Sequence, residues 1–381
     1  MADNNQHKNL KDVAALFLLM GLTAFGGPAA HVGLFHDQVV RRRKWLSDQE
    51  FLDLVGSTQI IPGPNSSELV FYISYLRAGW PGLVVGGLGW ILPSLVMIIA
   101  LAWGYTYYGS TPQIELVFRA VKPIVIAIIA KALYFLGKNA IKDFGTALIA
   151  AAVTVFSLLG AENIWLLIGG GLFLLMARKT YSGIAPKWGF TMPLAGIRLI
   201  GVEGRAFSLM MLFLQFLKIG SLLYGSGYVL FAFLNETFVQ EMGWLSIQQI
   251  IDGVAVGQLT PGPLSSSASF LGFLLGGVPG ALLAELGIYL PSFLLVVATR
   301  PIIPKLRESE WVGFFLDGVN AASLGLMGVV TWRLAQSALV DLPTVGLGLI
   351  SGGLVFFTNV NTTAIIIGGV IIGLARYALG L

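Results

Sequence analysis

Residues 60–67 read Ile60-Ile61-Pro62-Gly63-Pro64-Asn65-Ser66-Ser67 and interrupt a long apolar run that otherwise favours helix. Proline has no amide hydrogen and disfavours helix in the residue before it. A helix that arrives from Phe51 is therefore predicted to stop near Ile61, and a new helix is predicted to start near Pro64. Asn and Ser suit helix starts. The stretch thus predicts a broken helix whose exposed N–H groups and hydroxyls favour an anion.

The same arrangement recurs later in the chain, as Leu259-Thr260-Pro261-Gly262-Pro263-Leu264-Ser265-Ser266-Ser267. A single Pro-Gly-Pro sequence is compatible with an ordinary loop. Two copies at matching places in a hydrophobic chain indicate a duplicated binding device. Within a membrane, such irregular backbone is tolerated only where protein or a water-filled cavity surrounds it.

The composition is that of a polytopic membrane protein. Of the 381 residues, 56% are hydrophobic and 11% are charged, and the mean hydropathy is +0.82. Soluble domains average roughly 25% charged residues. Cysteine is absent and histidine occurs three times, which argues against disulfides, redox chemistry and transport of soft metal cations. We therefore predict no metal site, no cofactor, no nucleic-acid partner and no enzyme activity.

Two halves of the chain repeat one another. Trp45-Leu46-Ser47 recurs 199 residues later as Trp244-Leu245-Ser246, and the Pro-Gly-Pro motif recurs with the same spacing. Leu92-Pro93-Ser94 recurs as Leu290-Pro291-Ser292 after a one-residue gap. We predict an N-terminal transmembrane repeat over residues 1–177, a cytoplasmic connector over 178–205 and a C-terminal transmembrane repeat over 206–381.

The basic residues predict that the two repeats have opposite orientations. Arg41-Arg42-Arg43-Lys44 precedes the first Trp-Leu-Ser, whereas its counterpart, residues 240–243, has no Lys or Arg. Residues 102–113 have none either, whereas their counterpart carries Arg300, Lys305 and Arg307. Because positive charge marks the cytoplasmic side, the bias is reversed in both loops. Inverted repeats with discontinuous helices at the midplane are the plan of many secondary transporters.

We therefore expect an all-α polytopic membrane protein with two inverted-topology repeats. Each repeat is predicted to have five crossings and one broken or re-entrant hairpin at its Pro-Gly-Pro, about ten crossings in total. The termini then lie outside, although Lys8 and Lys11 favour the inside. A break at Phe25-Gly26-Gly27-Pro28 would make the first segment re-entrant as well and would change this count.

Several motifs closely resemble the chromate ion transporter family, in its long two-repeat form. They are the runs Phe25–His31, Gln59–Ser66 and Arg77-Ala78-Gly79-Trp80-Pro81-Gly82, together with the basic cluster before Trp45. The resemblance implies an inner (plasma) membrane transporter that expels chromate, interacts with sulfate, and is driven by an ion gradient or the membrane potential. The second repeat departs from the pattern, with Gly225-Ser226-Gly227 in place of Gly26-Gly27-Pro28. Besides the anion, membrane lipid is an expected partner, and a homodimer is left open.

Chromate is a tetrahedral dianion, so its site must supply hydrogen-bond donors and positive potential. Arg119 and Lys122, one helical turn apart in an apolar segment, are added to the residues of the breaks, with snorkelling to an interface as the alternative. The alternative for the breaks is that packing satisfies their backbone groups. The full set of substrate-binding candidates is Pro62, Gly63, Pro64, Asn65, Ser66, Ser67, Pro261, Gly262, Pro263, Ser265, Ser266, Lys122 and Arg119.

Three carboxyls are candidates for energy coupling. Glu285 lies mid-segment and is a candidate proton carrier or a neutral structural residue, while Glu68 is a candidate helix cap or titrating group. Asp317 occupies the position that corresponds to Arg119, and an Arg119–Asp317 pair would leave Lys122 to face the anion. An anion channel or facilitator, and a transporter of sulfate or another oxyanion, stay open as alternatives to chromate export.

Overall fold

The computed structural model describes residues 2–109, 111–181, 207–224, 227–299, 301–302, 306, 309–358 and 360–380. All regular structure in these ranges is helical. The first repeat contains α1 (Ala2–Thr23), α2 (Gly27–His36), α3 (Asp48–Thr58), α4 (Asn65–Tyr108), α5 (Pro112–Ala140), α6 (Phe144–Leu158) and α7 (Asn163–Tyr181). The second contains α8 (Leu209–Leu222), α9 (Leu230–Leu234), α10 (Ile247–Leu259), α11 (Ser267–Thr299), α12 (Glu310–Ala338), α13 (Leu342–Phe357) and α14 (Thr362–Ala378).

Equivalent capping residues start the short helices before the two breaks. Ser47 accepts a hydrogen bond from the backbone of Glu50, whose side chain accepts one from the backbone of Ser47. Ser246 and Gln249 form the same reciprocal pair at the start of α10. Such a capping box satisfies two otherwise free N–H groups. The repeated Trp-Leu-Ser motif therefore marks a helix start in both repeats.

The first two helices form a hairpin that enters and leaves by one face. The chain reverses at Gly26, whose φ is +113°, a conformation that favours glycine. Phe35 of α2 then contacts Phe17 of α1, with ring centroids 6.1 Å apart. A continuous helix would hold two residues 18 positions apart at about 27 Å. The first segment is therefore re-entrant, which was the alternative that changes the count of crossings.

The open end of the α1–α2 hairpin lies beside the open end of the hairpin that α3 and the first part of α4 form around the first Pro-Gly-Pro. Arg77, near the end of the first part of α4, lies 4.0 Å from Asp12 of α1. Its guanidinium also lies over the Trp45 ring, 5.1 Å from the centroid. We call this end of the molecule the basic face, because the basic residues 41–44 directly precede Trp45 in the chain.

The second repeat has the opposite orientation. Both α4 and α11 kink at a glycine with positive φ, 63° at Gly79 and 61° at Gly277. The Tyr72 hydroxyl, in the part of α4 that returns to the basic face, lies 3.5 Å from Thr299 Oγ1 at the end of α11. The equivalent end of α4 contains Tyr105 and lies at the other end of the molecule, the opposite face. The inverted arrangement is therefore present in the packing as well as in the charges.

Among the residues that the structure describes, three helical segments are long and apolar enough to cross a membrane, namely Asn65–Tyr108, Leu264–Thr299 and Glu310–Ala338. The chain is an all-α polytopic membrane protein, as predicted. Shorter apolar helices accompany these spans, among them α6, α7, α8, α13 and α14.

The helices pack in two bundles. In the first, which we call the site bundle, α1 packs on α4, α8 packs on α11, and α4 packs on α11. In the second, which we call the frame bundle, α5, α6 and α7 pack with α12, α13 and α14. The site bundle also includes α2, α3, α9 and α10. Its α10 lies against α5, α12 and α14 of the frame bundle.

The predicted cytoplasmic connector lies almost entirely outside the described residues, as do Gly225, Ser226, Arg300, Lys305 and Arg307. The described residues on either side of it lie at different ends of the molecule. Arg178 pairs with Asp317, whereas the Phe207 ring contacts Trp244, before α10, with centroids 5.3 Å apart.

Candidate binding site at the paired helix breaks

The first Pro-Gly-Pro forms the predicted break between two helices. Helix α3 ends at Thr58 and α4 begins at Asn65. Gly63 lies between them with φ +147°, and its N–H donates a 2.6 Å hydrogen bond to the carbonyl of Leu223, just after α8. The break is thus tied to the tip of the first hairpin of the other repeat.

The second break repeats this arrangement with the halves exchanged. Helix α10 ends at Leu259, and a short 3₁₀ turn precedes α11. Gly262 has φ +95°, and its N–H donates a 2.9 Å hydrogen bond to the carbonyl of Ala24, just after α1. The two breaks are therefore related by the pseudo-twofold axis that relates the repeats, and each is completed by the other repeat.

Two serines that the sequence interpretation did not include also cross between the repeats. A Cβ atom on Gly63 would lie 1.8 Å from Ser292 Oγ, and one on Gly262 would lie 3.0 Å from Ser94 Cβ. Ser94 and Ser292 end the repeated Leu-Pro-Ser motif, which revealed the duplication but was not interpreted as part of a site. Their repetition beside the duplicated breaks was the signal that could have identified them.

The hydroxyls predicted at the breaks are buried. In the first repeat, Ser66 and Ser67 are 4% and 0% exposed, and Ser67 accepts a 3.0 Å hydrogen bond from Trp90 Nε1. In the second, Ser265 and Ser266 are 1% and 0% exposed. All four therefore lie inside the site bundle.

A chain of hydrogen bonds links the second break to Glu285. Ser94 Oγ donates to Ser266 Oγ over 2.7 Å, and Ser266 Oγ donates to Glu285 Oε1 over 2.9 Å. Ser269 donates to the other carboxylate oxygen of Glu285. Ser265 is hydrogen-bonded to the hydroxyl of Tyr289. Glu285 thus lies in contact with the break, with both oxygens in hydrogen bonds.

The prolines of the breaks contribute carbonyl acceptors. The carbonyl of Pro62 faces Ser292 Oγ at 3.4 Å, and that of Pro64 accepts 2.8 Å and 3.1 Å hydrogen bonds from the N–H groups of the first turn of α4. The carbonyl of Pro263 accepts a 3.1 Å bond from the N–H of Ser266, and Pro261 is buried. Part of the backbone polarity of the breaks is therefore satisfied internally.

Asn65 and Glu68 follow the first break on the same side of α4, three residues apart. The Glu68 side chain is fully buried and lies near the Ser292 hydroxyl, but neither of its carboxylate oxygens accepts a hydrogen bond of normal geometry from the described residues. Asn65 Oδ1 is buried without a partner as well. Glu68 does not cap its own helix, because its carboxylate accepts no backbone hydrogen bond from the first turn described for α4, where the N–H groups of Ser67 and Glu68 donate to the carbonyl of Pro64.

The predicted Arg119–Asp317 pair is wrong. Arg119 pairs with Asp341 at the start of α13. Asp317 pairs instead with Lys142 at 2.6 Å and with Arg178 at 3.1 Å. An inverted repeat explains the error, because its equivalent positions lie at equal depths on opposite sides of the midplane.

Lys122 is likewise held away from the breaks. Its ammonium lies 3.0 Å from Asp252 Oδ1 and donates a 2.8 Å hydrogen bond to Gln248 Oε1. The Tyr105 hydroxyl donates a 2.8 Å bond to the other oxygen of Asp252. The structure thus gathers the Pro-Gly-Pro residues, Glu68 and Glu285 in one region, and it does not bring Arg119, Lys122 or Asp317 there.

Asp341 shows how the frame bundle is secured at the opposite face. It caps α13, and hydrogen bonds from the backbone and side chain of Thr344, followed by the Arg119 guanidinium, lower its pKa to about 2. Asp143 caps α6 in the same way, and hydrogen bonding from the backbone of Thr146, with a smaller contribution from Arg178, lowers its pKa.

Two inverted helical repeats whose broken helices meet inside the molecule define the inverted-repeat class of membrane transporters. The chain belongs to the chromate transporter family, whose model matches residues 11–175 and 210–374.

Relatives of similar length support this assignment. The chain is 33% identical to the probable chromate transport protein of Synechococcus elongatus, over 90% of this chain and 89% of that protein. It is 32% identical to the chromate transport protein of Cupriavidus metallidurans, over 97% and 94% of the two chains. It is 30% identical to the chromate transport protein of Pseudomonas aeruginosa, over 90% and 85%. No solved structure matches the chain.

Proposed function

We propose that the chain exports chromate across the cell membrane by secondary active transport, with the anion bound between the two Pro-Gly-Pro breaks. Membership of the chromate transporter family and full-length similarity to three chromate transport proteins support the substrate. The proposed location of the anion rests on one reciprocal observation. Gly63 and Gly262 each donate a hydrogen bond to a backbone carbonyl of the other repeat. An anion at this point contacts both halves at once.

The chemistry of the breaks suits a tetrahedral dianion. The first-turn N–H groups of a helix carry about half a positive charge, and the two inverted repeats direct two such helix starts into one region. Ser66 and Ser265 are each the second residue of the helical turn that follows a break, and the amide of Asn65 supplies further donors. Backbone and hydroxyl donors recognise oxyanion geometry without a cation, so sulfate is an expected competitor.

Differences between equivalent helices support an alternating-access mechanism. Helix α10 is buried between the two bundles, where Ile251 is 0% exposed. Its equivalent in α3, Leu52, is 59% exposed. The opposite face is therefore closed by α10, while α3 is less covered at the basic face. In transporters built from inverted repeats, exchanging the conformations of the two halves produces the alternate state.

This asymmetry is compatible with the loading state that export requires. The positive charge of residues 41–44 assigns the basic face to the cytoplasm. A site that is closed at the outer face and less covered at the cytoplasmic face exchanges its anion with the cytoplasm, and export requires that the anion bind in this state. Transport then requires release of the Lys122–Asp252 contact, which joins α5 of the frame bundle to α10 of the site bundle.

Energy coupling is assigned to the buried carboxyls of the site bundle. Glu68 and Glu285 lie at the two breaks, and ionisable residues inside a membrane are costly and usually functional. Asp317 is no longer favoured for this role, because it is held by Lys142 and Arg178 near the basic face. Movement of a dianion out of the cytoplasm is also favoured by a membrane potential that is negative inside.

Uptake of labelled chromate into inverted membrane vesicles tests the proposal. A pH gradient, a sodium gradient or a membrane potential is imposed, with and without excess sulfate. Accumulation above equilibrium supports secondary active export, and inhibition by sulfate supports a shared site. Equilibration without accumulation indicates a facilitator instead, and absence of chromate movement would overturn the assigned substrate.

A further inference from the structure

Glu68 has an environment that the transport of an anion does not explain. Its side chain is 0% exposed, and neither carboxylate oxygen has a hydrogen-bond partner. Asn65 Oδ1, on the same side of α4, is also buried without a partner. Within the part of the chain that the structure describes, three acceptor atoms at the first break therefore lack a hydrogen bond of normal geometry, although the Ser292 hydroxyl lies near Glu68. Buried polar groups in native proteins are nearly always satisfied, and an ion is one explanation of those that are not.

Glu285 provides an internal comparison. It is also buried, at 4% exposure, and it lies beside the second break. Its two oxygens accept hydrogen bonds from Ser266 and Ser269. Two buried carboxyls of the same bundle thus differ: two hydroxyls donate to the oxygens of Glu285, whereas the Ser292 hydroxyl lies near Glu68 and, among the described residues, neither oxygen of Glu68 accepts a hydrogen bond of normal geometry.

The atoms that surround Glu68 are oxygen ligands. A Cβ atom on Gly63 would lie 2.4 Å from Glu68 Oε1 and 1.8 Å from Ser292 Oγ, so the glycine allows both oxygens to approach the break. The carbonyl of Pro62 faces the same hydroxyl at 3.4 Å. In addition, the C-terminal end of α3, which ends at Thr58, carries a partial negative charge. Oxygen ligands of this kind suit a hard cation.

The number of unpartnered atoms distinguishes a metal cation from a proton. A proton on Glu68 supplies one donor, whereas a metal cation accepts lone pairs from several oxygens together. The single carboxylate favours a monovalent ion, since divalent hard cations usually take more than one. Among the described residues, no group of three or more His, Cys, Asp and Glu side chains is placed to hold a metal ion.

We propose that Glu68, Asn65 and Ser292 bind a sodium ion at the first break. Unwound backbone and the C-terminal ends of half-helices are sites at which transporters of inverted-repeat architecture hold sodium. This goes beyond the absence of a metal site predicted from the sequence. Coupling of the ion to transport, unlike its binding, rests on the proposed function.

The bound ion explains how a carboxylate and a dianion occupy one region. Without a cation, the negative charge of Glu68 repels the anion at short range. Sodium neutralises Glu68, so binding of the ion raises the affinity for the anion. By linkage, the anion raises the affinity for sodium by the same factor. Because cotransport with sodium down an inward gradient would oppose export, the ion remains at its site and the membrane potential drives the dianion outward.

Thermal unfolding of the purified protein, without any oxyanion, tests the ion site directly. Sodium chloride is compared with choline chloride at equal ionic strength. We expect a saturable rise of Tm with sodium, because a ligand of the folded state stabilises it. Glu68→Gln should abolish the response, whereas Glu285→Gln, which also neutralises a buried carboxyl, should retain it. An equal response of wild type and Glu68→Gln, or no response in either, overturns the site.

A second pair of variants covers the case in which Glu68→Gln does not fold. Ser292→Ala and Asn65→Ala each remove one ligand, and we expect each to weaken the apparent sodium affinity by about tenfold or more. Binding of radioactive sodium to the purified protein measures this affinity. Unchanged affinity in both variants contradicts the proposed ligands.

Proteoliposomes then separate this inference from the proposed function. Chromate accumulation that is driven by a membrane potential, requires sodium at equal concentration on both sides, and is lost in Glu68→Gln supports both. Accumulation driven equally well without sodium overturns the sodium inference and leaves chromate transport standing. Sodium-dependent stabilisation without chromate movement leaves the ion site standing and overturns the assigned substrate.

Discussion

The hydroxyl of Ser94, in the first repeat, donates a 2.7 Å hydrogen bond to the hydroxyl of Ser266, in the second, across 172 positions of the chain. The contact joins the Leu-Pro-Ser motif of one repeat to the Pro-Gly-Pro break of the other. Ser292 and Gly63 meet in the equivalent place with the repeats exchanged. Neither break is therefore complete within its own half, and the candidate site belongs to the interface between the repeats.

Ser94→Ala should weaken the second break without unfolding the protein. The substitution removes one buried hydrogen bond, which contributes about 1 kcal/mol, and leaves Ser266 bonded to Glu285. We expect a small fall in Tm and reduced chromate transport. Ser221→Ala, which removes an exposed hydroxyl bonded only within α8, is the control. Equal transport by both variants would argue against a role for the contact between the repeats.

Gly63→Ala and Gly262→Ala should reduce chromate transport by tenfold or more, the effect of about 1.4 kcal/mol. Each glycine has a positive φ, and the added Cβ meets Ser292 or Ser94 of the other repeat. Membrane insertion should be preserved, because the helices on either side are unchanged. Transport assays and membrane fractionation measure the two effects. Gly104→Ala adds a methyl group to open space in α4 and serves as the control. Normal transport by both break variants would contradict the site.

Lys122→Met should destabilise the protein more than it weakens anion binding. It leaves Asp252, whose side chain is 5% exposed, without its cation partner. Removing one member of a buried ion pair costs about 3–5 kcal/mol. The double variant Lys122→Met/Asp252→Asn should recover most of the lost stability, as measured by thermal unfolding. A rise in the KM for chromate that the second substitution does not reverse would restore Lys122 as a substrate ligand.

The cap at Asp341 should stabilise the folded protein, and this stabilisation should be lost in acid. Because its pKa is lowered to about 2 in the folded protein, against about 3.9 for an unperturbed aspartate, this contribution is complete above pH 4. It declines as the pH falls from about 4 through about 2. Asp341→Asn should therefore flatten the acid limb of a Tm–pH curve. Asn361→Ala, which removes a helix cap that does not titrate, should lower Tm without changing the acid limb. Parallel acid limbs for wild type and Asp341→Asn would contradict the role of the cap.

The sequence by itself determined the fold class and the positions of both helix breaks. Composition alone indicated a polytopic membrane protein, because so few charged residues cannot cover a soluble surface. The breaks at Gly63 and Gly262 were predictable because proline and glycine act locally, on the backbone of their own segment. The inverted relationship followed from the asymmetry of basic residues, since the membrane imposes that bias on any chain.

Only the tertiary structure decided which side chains meet. The sequence placed Arg119 and Asp317 at equivalent positions, and it offered no means of telling that an inverted axis sends them to opposite faces. It listed both Glu68 and Glu285 as coupling candidates and did not reveal that Ser266 and Ser269 donate to Glu285, whereas neither oxygen of Glu68 accepts a hydrogen bond of normal geometry from the described residues. Hydrogen bonds between side chains depend on contacts across the chain, and local sequence carries little information about them. The sodium site proposed at Glu68 rests on that difference, which appears only when both repeats are folded together.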